Sequence, residues 1–216
     1  EVFGHTNCHR GRYLPWYGFN TDIELYNNTN VDEKSQIPRY SMTVTNGQLN
    51  LANGPYNELM GGIERANLSI RGIRQYGNPE GNPEMAALLG EALCARALLY
   101  TELLKAYGEV PARFEPISPE TIYINKSDKD VIYKQLLADL EEAFNYMKWP
   151  GQSAITATTD RPSLAFAKGL YARLCLMASG YSLRPDEGLV GTGNQGTVRL
   201  STDPELQKDV LYPKAL

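Results

Sequence analysis

The chain has 216 residues, of which 42% are hydrophobic and 21% charged, as in an ordinary globular protein. A net charge of −4 argues against nucleic-acid binding, because phosphate is held by surplus Lys and Arg. No run approaches the roughly 18 apolar residues of a membrane span. No secretory signal peptide is recognisable either, so the chain is either cytosolic or has its targeting segment outside this sequence.

Residues 1–54 are predicted to form long ordered loops with a helical turn or two. They lack a sustained hydrophobic period and are rich in Asn, Thr, Gly and Tyr. A helix is predicted over 55–76, because Pro55 suits a first turn and Gly77-Asn78-Pro79 ends the periodic segment. Its inward residues recur at three- and four-residue spacing: Tyr56, Leu59, Met60, Ile63, Ala66, Ile70 and Ile73.

A second helix is predicted over 83–107, where Asn82 offers a capping side chain and Pro83 suits the first turn. Gly108 and Pro111 end it. Its inward stripe comprises Met85, Leu88, Leu89, Ala92, Leu99, Leu103 and Ala106. The small residues Gly90, Ala92, Ala95 and Ala97 leave room for a neighbouring helix, which predicts a helix that packs rather than one that catalyses.

Two further helices are predicted over 127–147 and 162–181. Ser127 to Asp130 resemble a capping box at the start of the first. The inward residues are Ile132, Leu136, Leu140, Ala143 and Met147 in the first, and Leu164, Ala167, Leu170, Tyr171, Leu174 and Ala178 in the second. A Gly-rich loop over 186–197 follows, and residues 204–216 have the pattern of the beginning of a fifth helix.

These elements predict an all-α protein of tetratricopeptide-like antiparallel helix pairs with long irregular loops. We expect residues 1–216 to form a single helical domain. Within it, 1–54 is the loop-rich, ligand-facing segment, 55–185 holds the helix pairs, and 186–216 is a loop and the start of a further helix.

Two motifs contain residue types found in metal or dinucleotide sites, but each lacks the further residues or elements that such a site requires. His5, Cys8 and His9 suit Zn²⁺, but no second His or Cys cluster completes a set of three or four ligands. Gly191 to Gly196 match G-x-G-x-x-G, but a dinucleotide site requires a preceding strand and a helix that opens within the motif. The surrounding sequence favours plain loops, so neither a metal nor a cofactor is predicted.

Candidate catalytic groups also have simpler interpretations. Glu141-Glu142 and Asp186-Glu187 could be paired carboxylates for glycoside hydrolysis, but adjacent helix residues point in different directions, so solvated faces are predicted. Cys94 and Cys175 lie in apolar helical patterns and are predicted to be buried small hydrophobes. No catalytic residue is predicted, and the chain is not expected to be an enzyme.

The candidate ligand-binding segment is 10–28, RGRYLPWYGFNTDIELYNN, which packs aromatic rings among Arg, Asp and Asn. An aromatic face stacks on the apolar face of a pyranose, while planar polar groups bind its hydroxyls. We nominate Arg12, Trp16, Tyr17, Asp22 and Tyr26 as ligand-binding residues. The alternative interpretation is a loop that packs its aromatic rings onto the helices.

Four stretches together resemble the SusD/RagB family: ERAN (64–67), LGEALCARALLYTELLKAYGEVP (89–111), DVIYKQLLADLEEAF (130–144) and AFAKGLYARLCLMASGY (165–181). The matching positions are Ala66-Asn67, Gly90-Glu91-Ala92, Arg96-Ala97, Tyr100, Tyr107-Gly108, Val110-Pro111, Asp139-Leu140, Ala143 and Ala172-Arg173. The resemblance covers about residues 55 to 185.

This resemblance implies a helical, non-enzymatic lipoprotein on the surface of the outer membrane. Such a protein binds oligosaccharide or another nutrient and delivers it to a SusC-like TonB-dependent transporter. Family members are longer, and none of the three Cys residues is placed as a lipid anchor, so we expect a fragment whose anchor lies outside this chain. The competing hypothesis is a tetratricopeptide-like scaffold that binds protein without a ligand of its own.

Overall fold

The computed structural model describes residues 23, 33–36, 38–50, 52, 54–158 and 160–216. Its helices are α1 (Glu33–Gln36), α2 (Pro55–Gly72), α3 (Pro83–Tyr107), α4 (Lys129–Tyr146), α5 (Leu164–Ser179) and α6 (Lys208–Ala215). A π-helical turn, Ile73–Gly77, continues α2, and a 3-10 turn, Pro204–Leu206, precedes α6. The predicted all-α class with tetratricopeptide-like helix pairs is confirmed. The four main predicted helices begin and end within two residues of the observed ones when the π-helical turn is counted with α2.

The chain divides into two compact units, Glu1–Gly62 and Ile63–Leu216. The described part of the first unit is organised around the buried side chain of Asn46. Its amide nitrogen donates to Glu33 O at 2.9 Å and to Gln36 Oε1 at 2.8 Å, and its oxygen accepts from Gln48 N at 2.9 Å. Asn46 thereby ties the short helix α1 to the turn that follows it. The single domain expected over 1–216 stays a prediction.

In the second unit, α3 packs against α4, α4 against α5, and α5 against α6. The predicted core faces of α4 and α5 are confirmed, apart from Leu164, which is only half-buried. Buried residues on these two helices are Ile132, Leu136, Leu140, Ala143, Ala167, Leu170, Tyr171, Leu174 and Ala178, together with Met147 just after α4. Three-residue and four-residue spacing therefore identified the faces that exclude water.

Helix α3 is buried over more of its circumference than the predicted stripe. Leu89, Leu99 and Leu103 are buried as expected, and so are the polar Arg96 and Thr101. Gly90 allows the Met147 side chain to pack closely against α3, because a Cβ at position 90 would lie 2.6 Å from Met147 Cγ. Four predicted inward residues are only half-buried: Met85, Leu88, Ala92 and Ala106.

The helix starts differ in how well the sequence predicted them. Asn82 caps α3 as expected, since its side-chain oxygen accepts from Glu84 N at 3.1 Å and Met85 N at 3.3 Å. The predicted capping box with Ser127 is wrong. Asp128 caps α4 instead, and the Ser127 hydroxyl accepts from Ala112 N at 3.3 Å in the preceding loop.

Strands β1 (Ser182–Arg184) and β2 (Thr197–Arg199) form a two-stranded antiparallel sheet. The G-x-G-x-x-G motif lies in the loop between them, where Gly191, Gly193 and Gly196 take positive φ angles. A strand rather than a helix follows the motif, so the predicted plain loop agrees with the structure. None of the described helices is long and apolar enough to cross a membrane.

Candidate functional site

The five residues nominated from the sequence lie outside the described part of the chain: Arg12, Trp16, Tyr17, Asp22 and Tyr26. The same holds for His5, Cys8 and His9. The ligand-binding hypothesis for 10–28 and the absence of a metal at the His-Cys cluster therefore stay predictions. The described residues show instead what the positions that match the family pattern do in the structure.

A buried ion pair joins α3 to α4. Arg96 Nε and Nη2 donate to the two carboxylate oxygens of Asp139, both at 2.8 Å, and the side chains are 3% and 1% exposed. Arg96 Nη1 also donates to Asn67 Oδ1 at 2.9 Å and to Phe114 O at 2.8 Å. Gln135 donates a further hydrogen bond to Asp139. A bidentate pair of this kind is stable only when its remaining donors and acceptors are also satisfied.

The same cluster holds the backbone of the loop that follows α3. Asn67 Nδ2 donates to Arg113 O at 3.1 Å and to Glu115 O at 3.2 Å. The Tyr100 hydroxyl accepts from Arg113 N at 2.7 Å and lies 3.1 Å from Pro111 O. Together with Arg96, these side chains from α2 and α3 supply hydrogen-bond partners to backbone groups of the loop that would otherwise lack them.

These residues therefore hold the helices and the loop after α3 in place. The polar groups of Arg96, Asp139 and Asn67 are spent on one another and on the loop backbone, so they offer little to a ligand. In the sequence these residues are recognisable as matches to the family pattern, but their buried pairing was not predicted. An Arg within a helix of small and apolar residues was the available signal, because a buried charge requires a partner.

The candidate catalytic groups have ordinary structural roles. Glu141 accepts from Tyr171 and pairs with Lys214 at 3.2 Å, while Glu142 pairs with Arg74 at 2.6 Å. The carboxylates therefore serve surface contacts, as predicted. Across the described residues, no three His, Cys, Asp or Glu side chains are grouped as metal ligands.

The two described thiols are inert. Cys94 and Cys175 are buried, as predicted. Burial raises the pKa of Cys94 from its ordinary value of 9.0 to about 12, with a smaller contribution from the charge of Glu91. Burial likewise raises the pKa of Cys175 to about 11. Since the thiolate is the reactive form, neither residue is a nucleophile near neutral pH.

A groove of about 660 Å³ opens between the start of α3 and the segment after α4. The ring of Tyr146 lines it, beside the polar groups of Asn145 and Lys148 and the carboxylates of Glu80 and Glu84. The charged residues on its rim are exposed, so they stay hydrated and contribute little net energy to a contact. Prolines, alanines, Ser153 and Ile155 supply the rest of its lining, so the groove is a mixed polar and apolar surface with no concentration of polar groups.

The profile of a family named SusD-like, described as "Starch-binding associating with outer membrane", matches residues 17–176. No curated protein matches the chain significantly. Several solved structures share its fold. A SusD homologue from Bacteroides thetaiotaomicron is 22% identical with a TM-score of 0.56, and the match covers 67% of this chain and 28% of that one.

Two further similar structures are named by what they bind. A laminarin-binding SusD-like protein is 24% identical with a TM-score of 0.51, and the match covers 66% of this chain and 30% of that one. Surface glycan-binding protein A from Bacteroides uniformis is 19% identical with a TM-score of 0.53, with the same 66% and 30% coverage. This chain therefore spans less than a third of the length of these structures.

Proposed function

This chain belongs to the SusD-like family, whose profile covers well over half of it, and from that premise we propose that it binds carbohydrate at the surface of the bacterial outer membrane. It captures an oligosaccharide and delivers it to a SusC-like TonB-dependent transporter. The observation that carries the proposal is the match over residues 17–176 to a family described as starch-binding and associated with the outer membrane. The names of the laminarin-binding and glycan-binding fold relatives support the same ligand class.

Binding without catalysis accords with the chemistry of the described residues. Glu141 binds Lys214 and the buried Tyr171, and Glu142 binds Arg74, so both carboxylates have structural partners. Both described thiols are held in the neutral form. We therefore propose a protein that holds its ligand by stacking and hydrogen bonds alone, with no cofactor, and is attached to the membrane by a lipid anchor outside this chain.

The residues proposed to read the sugar are Arg12, Trp16, Tyr17, Asp22 and Tyr26. The indole and phenol rings stack on the apolar faces of sugar rings, and the guanidinium and carboxylate groups bind hydroxyls. Three of the five, Tyr17, Asp22 and Tyr26, lie within the matched range. Each stacked ring contributes on the order of 1 kcal/mol, so the affinity of one subsite is modest and suits a ligand that has to be released.

One observation favours a second candidate function, a scaffold that binds protein. A shallow apolar groove of about 620 Å³ lies along the end of α2 and α3. Ile73, Leu88, Ala92, Ala95 and Pro162 line it. Tetratricopeptide-like stacks use apolar grooves of this type to hold a helix or an extended segment of another protein.

Calorimetry on the full chain tests the proposed function. Maltoheptaose, laminarin oligosaccharides and xyloglucan oligosaccharides are titrated into the wild type, Trp16→Ala and Tyr123→Ala. Tyr123 is the matched control, because it is an aromatic residue that is 91% exposed and lines neither of the grooves described above. Weaker binding of one glycan by Trp16→Ala alone supports the proposal. Equal affinity in all three proteins contradicts the assignment of segment 10–28.

A further inference from the structure

A third groove, of about 570 Å³, lies at the opposite end of α3 from the groove beside Tyr146 and is formed entirely by residues 104–183. It is bounded by the end of α3, the start of α4, and the turn from α5 into β1. We call it the Tyr181 groove. Its lining combines an exposed aromatic ring with polar side chains that approach from three different elements.

The wall formed by the α5–β1 turn is apolar and open. Tyr181 is 75% exposed, and Leu176 and Leu183 beside it are also exposed although they are large and hydrophobic. Isolated exposed hydrophobic residues are common, but these three line one groove and together offer apolar surface to a ligand. A tyrosine ring in this setting presents a face on which the apolar side of a sugar ring can stack.

The groove also carries two polar groups with unused hydrogen-bonding capacity, one in β1 and one just after α3. Ser182 Oγ and Glu109 Oε1 are both buried, and within the described chain neither atom takes part in a hydrogen bond. Glu109 Oε1 does lie 3.4 Å from the Lys129 ammonium, an ion pair without hydrogen-bond geometry. A buried polar atom without a hydrogen-bond partner destabilises the folded state, so a hydroxyl-rich ligand gains by supplying the missing partners.

Each charged side chain that lines the groove is paired with a group of opposite charge. Lys129 donates to Leu183 O at 2.8 Å and pairs with Glu109, while Lys105 pairs with Glu102 at 2.7 Å. No surplus positive charge is left in these pairs to attract a carboxylate or a sulfate. The groove therefore favours a neutral ligand over an acidic one.

We propose that the Tyr181 groove is a second carbohydrate-binding site, which takes one or two rings of a neutral sugar. One sugar ring stacks on Tyr181, and the hydroxyls of that sugar bind the Glu109 carboxylate. They also bind the Ser182 hydroxyl after the Ser182 side chain rotates about χ1 toward the groove. The choice of carbohydrate as the ligand class rests on the proposed function. The site uses none of the residues in segment 10–28.

Nuclear magnetic resonance on the full chain tests the proposal, because a site for one or two rings binds weakly. Maltose, cellobiose and laminaribiose serve as neutral probes and glucuronate as the acidic one. A neutral disaccharide is expected to shift the amide signals of residues 108–109 and 181–183. Tyr181→Ala is expected to weaken this binding roughly three- to tenfold, as for the loss of one aromatic face contact, and Tyr123→Ala to leave it unchanged.

Three outcomes decide the matter. The site is supported if a neutral sugar shifts the amide signals of 108–109 and 181–183 and if Tyr181→Ala weakens that binding. The variant must also keep its circular dichroism spectrum. No shift at these residues with any neutral probe, or shifts that Tyr181→Ala leaves intact, overturns it. Trp16→Ala is expected to keep the shifts. The test therefore distinguishes a Tyr181 groove that binds no sugar from a segment 10–28 that binds none.

A separate variant tests the preference for neutral sugars. Glu109→Gln keeps the shape of the side chain but leaves the Lys129 ammonium without its carboxylate. Glucuronate, which is expected to leave residues 181–183 of the wild type unshifted, should then shift them in the variant. Equal glucuronate binding by both proteins would show that the Lys129–Glu109 pair does not set the charge preference.

Discussion

At the scale of single residues, Arg96 shows how the family signature acts. Its guanidinium binds Asp139 on α4, Asn67 on α2 and the backbone of Phe114 in the loop after α3. It also lies 5.5 Å from the centre of the Phe114 ring. Arginine fits this position because its planar fork offers donors in several directions at once, which a lysine ammonium cannot match with the same geometry.

Removing the carboxylate from this cluster should be costly. Asp139→Ala leaves a buried guanidinium without its counter-charge, and we expect a loss of about 3–5 kcal/mol in the free energy of unfolding. Glu142→Ala is the matched control, because it breaks an ion pair with Arg74 whose side chains are 45% and 31% exposed. That change should cost less than about 1 kcal/mol. Urea denaturation measures both, and equal losses would contradict the structural role of Asp139.

The Tyr100 hydroxyl should matter locally as well as globally. Tyr100→Phe removes the acceptor of Arg113 N, so we expect a loss of about 1–3 kcal/mol in stability. Hydrogen exchange should also become faster at the Arg113 amide, because its hydrogen bond to the hydroxyl is gone. Tyr123→Phe, at an exposed position, provides the control. An unchanged exchange rate at Arg113 would show that the loop is held by other contacts.

At the scale of the elements, the small residues of α3 have a specific function in packing. Gly90 faces Met147, whose Cγ would lie 2.6 Å from an added Cβ. Met147 in turn accepts a contact from the Cys94 thiol at 3.4 Å. A larger residue at position 90 would displace this pair, so the glycine sets the distance between α3 and the end of α4.

Two glycine-to-alanine variants should change stability in opposite directions. Both residues lie inside helices, where Ala is intrinsically favoured by about 1 kcal/mol. Gly169 has open space around its Cα, so Gly169→Ala should stabilise the protein. Gly90→Ala should destabilise it by about 1–2 kcal/mol, because overpacking outweighs the helical gain. Thermal or urea unfolding gives both signs, and stabilisation by Gly90→Ala would contradict the close contact with Met147.

At the scale of the whole molecule, the core holds weakly acidic groups that keep their protons to a higher pH in the folded protein than in the unfolded chain. Burial raises the pKa of Cys94 to about 12, of Cys175 to about 11 and of Tyr133 from 10.0 to about 12. In the unfolded chain the same groups lose their protons at lower pH. The folded state therefore binds more protons above about pH 9, and alkaline pH favours unfolding.

Stability should accordingly be insensitive to these groups below about pH 9 and fall progressively between pH 9 and pH 12. Urea midpoints measured at intervals of half a pH unit give the slope. Cys94→Ala removes one of the groups, so its stability should fall less steeply with pH than that of the wild type, although its absolute stability is lower. Parallel curves for the two proteins would contradict the shifted pKa of Cys94.

The sequence by itself determined where the four main helices lie and which faces α4 and α5 bury. Apolar spacing along 129–146 and 164–179 is a local property, and so are the cap at Asn82 and the stop at Gly108. The composition of 10–28 also predicted a sugar-binding segment, and that prediction stays open because it lies outside the described residues. These inferences needed no knowledge of which helix meets which.

Only the tertiary structure decided which polar residues meet. Arg96 binds Asp139 across 43 positions of sequence and Asn67 across 29, and no local pattern encodes such a pairing. The same is true of the Tyr181 groove, whose walls come from the ends of α3 and α5 and the start of α4. Periodicity reports which side of a helix avoids water, whereas the partner of a buried charge or the shape of a groove depends on how the helices pack together.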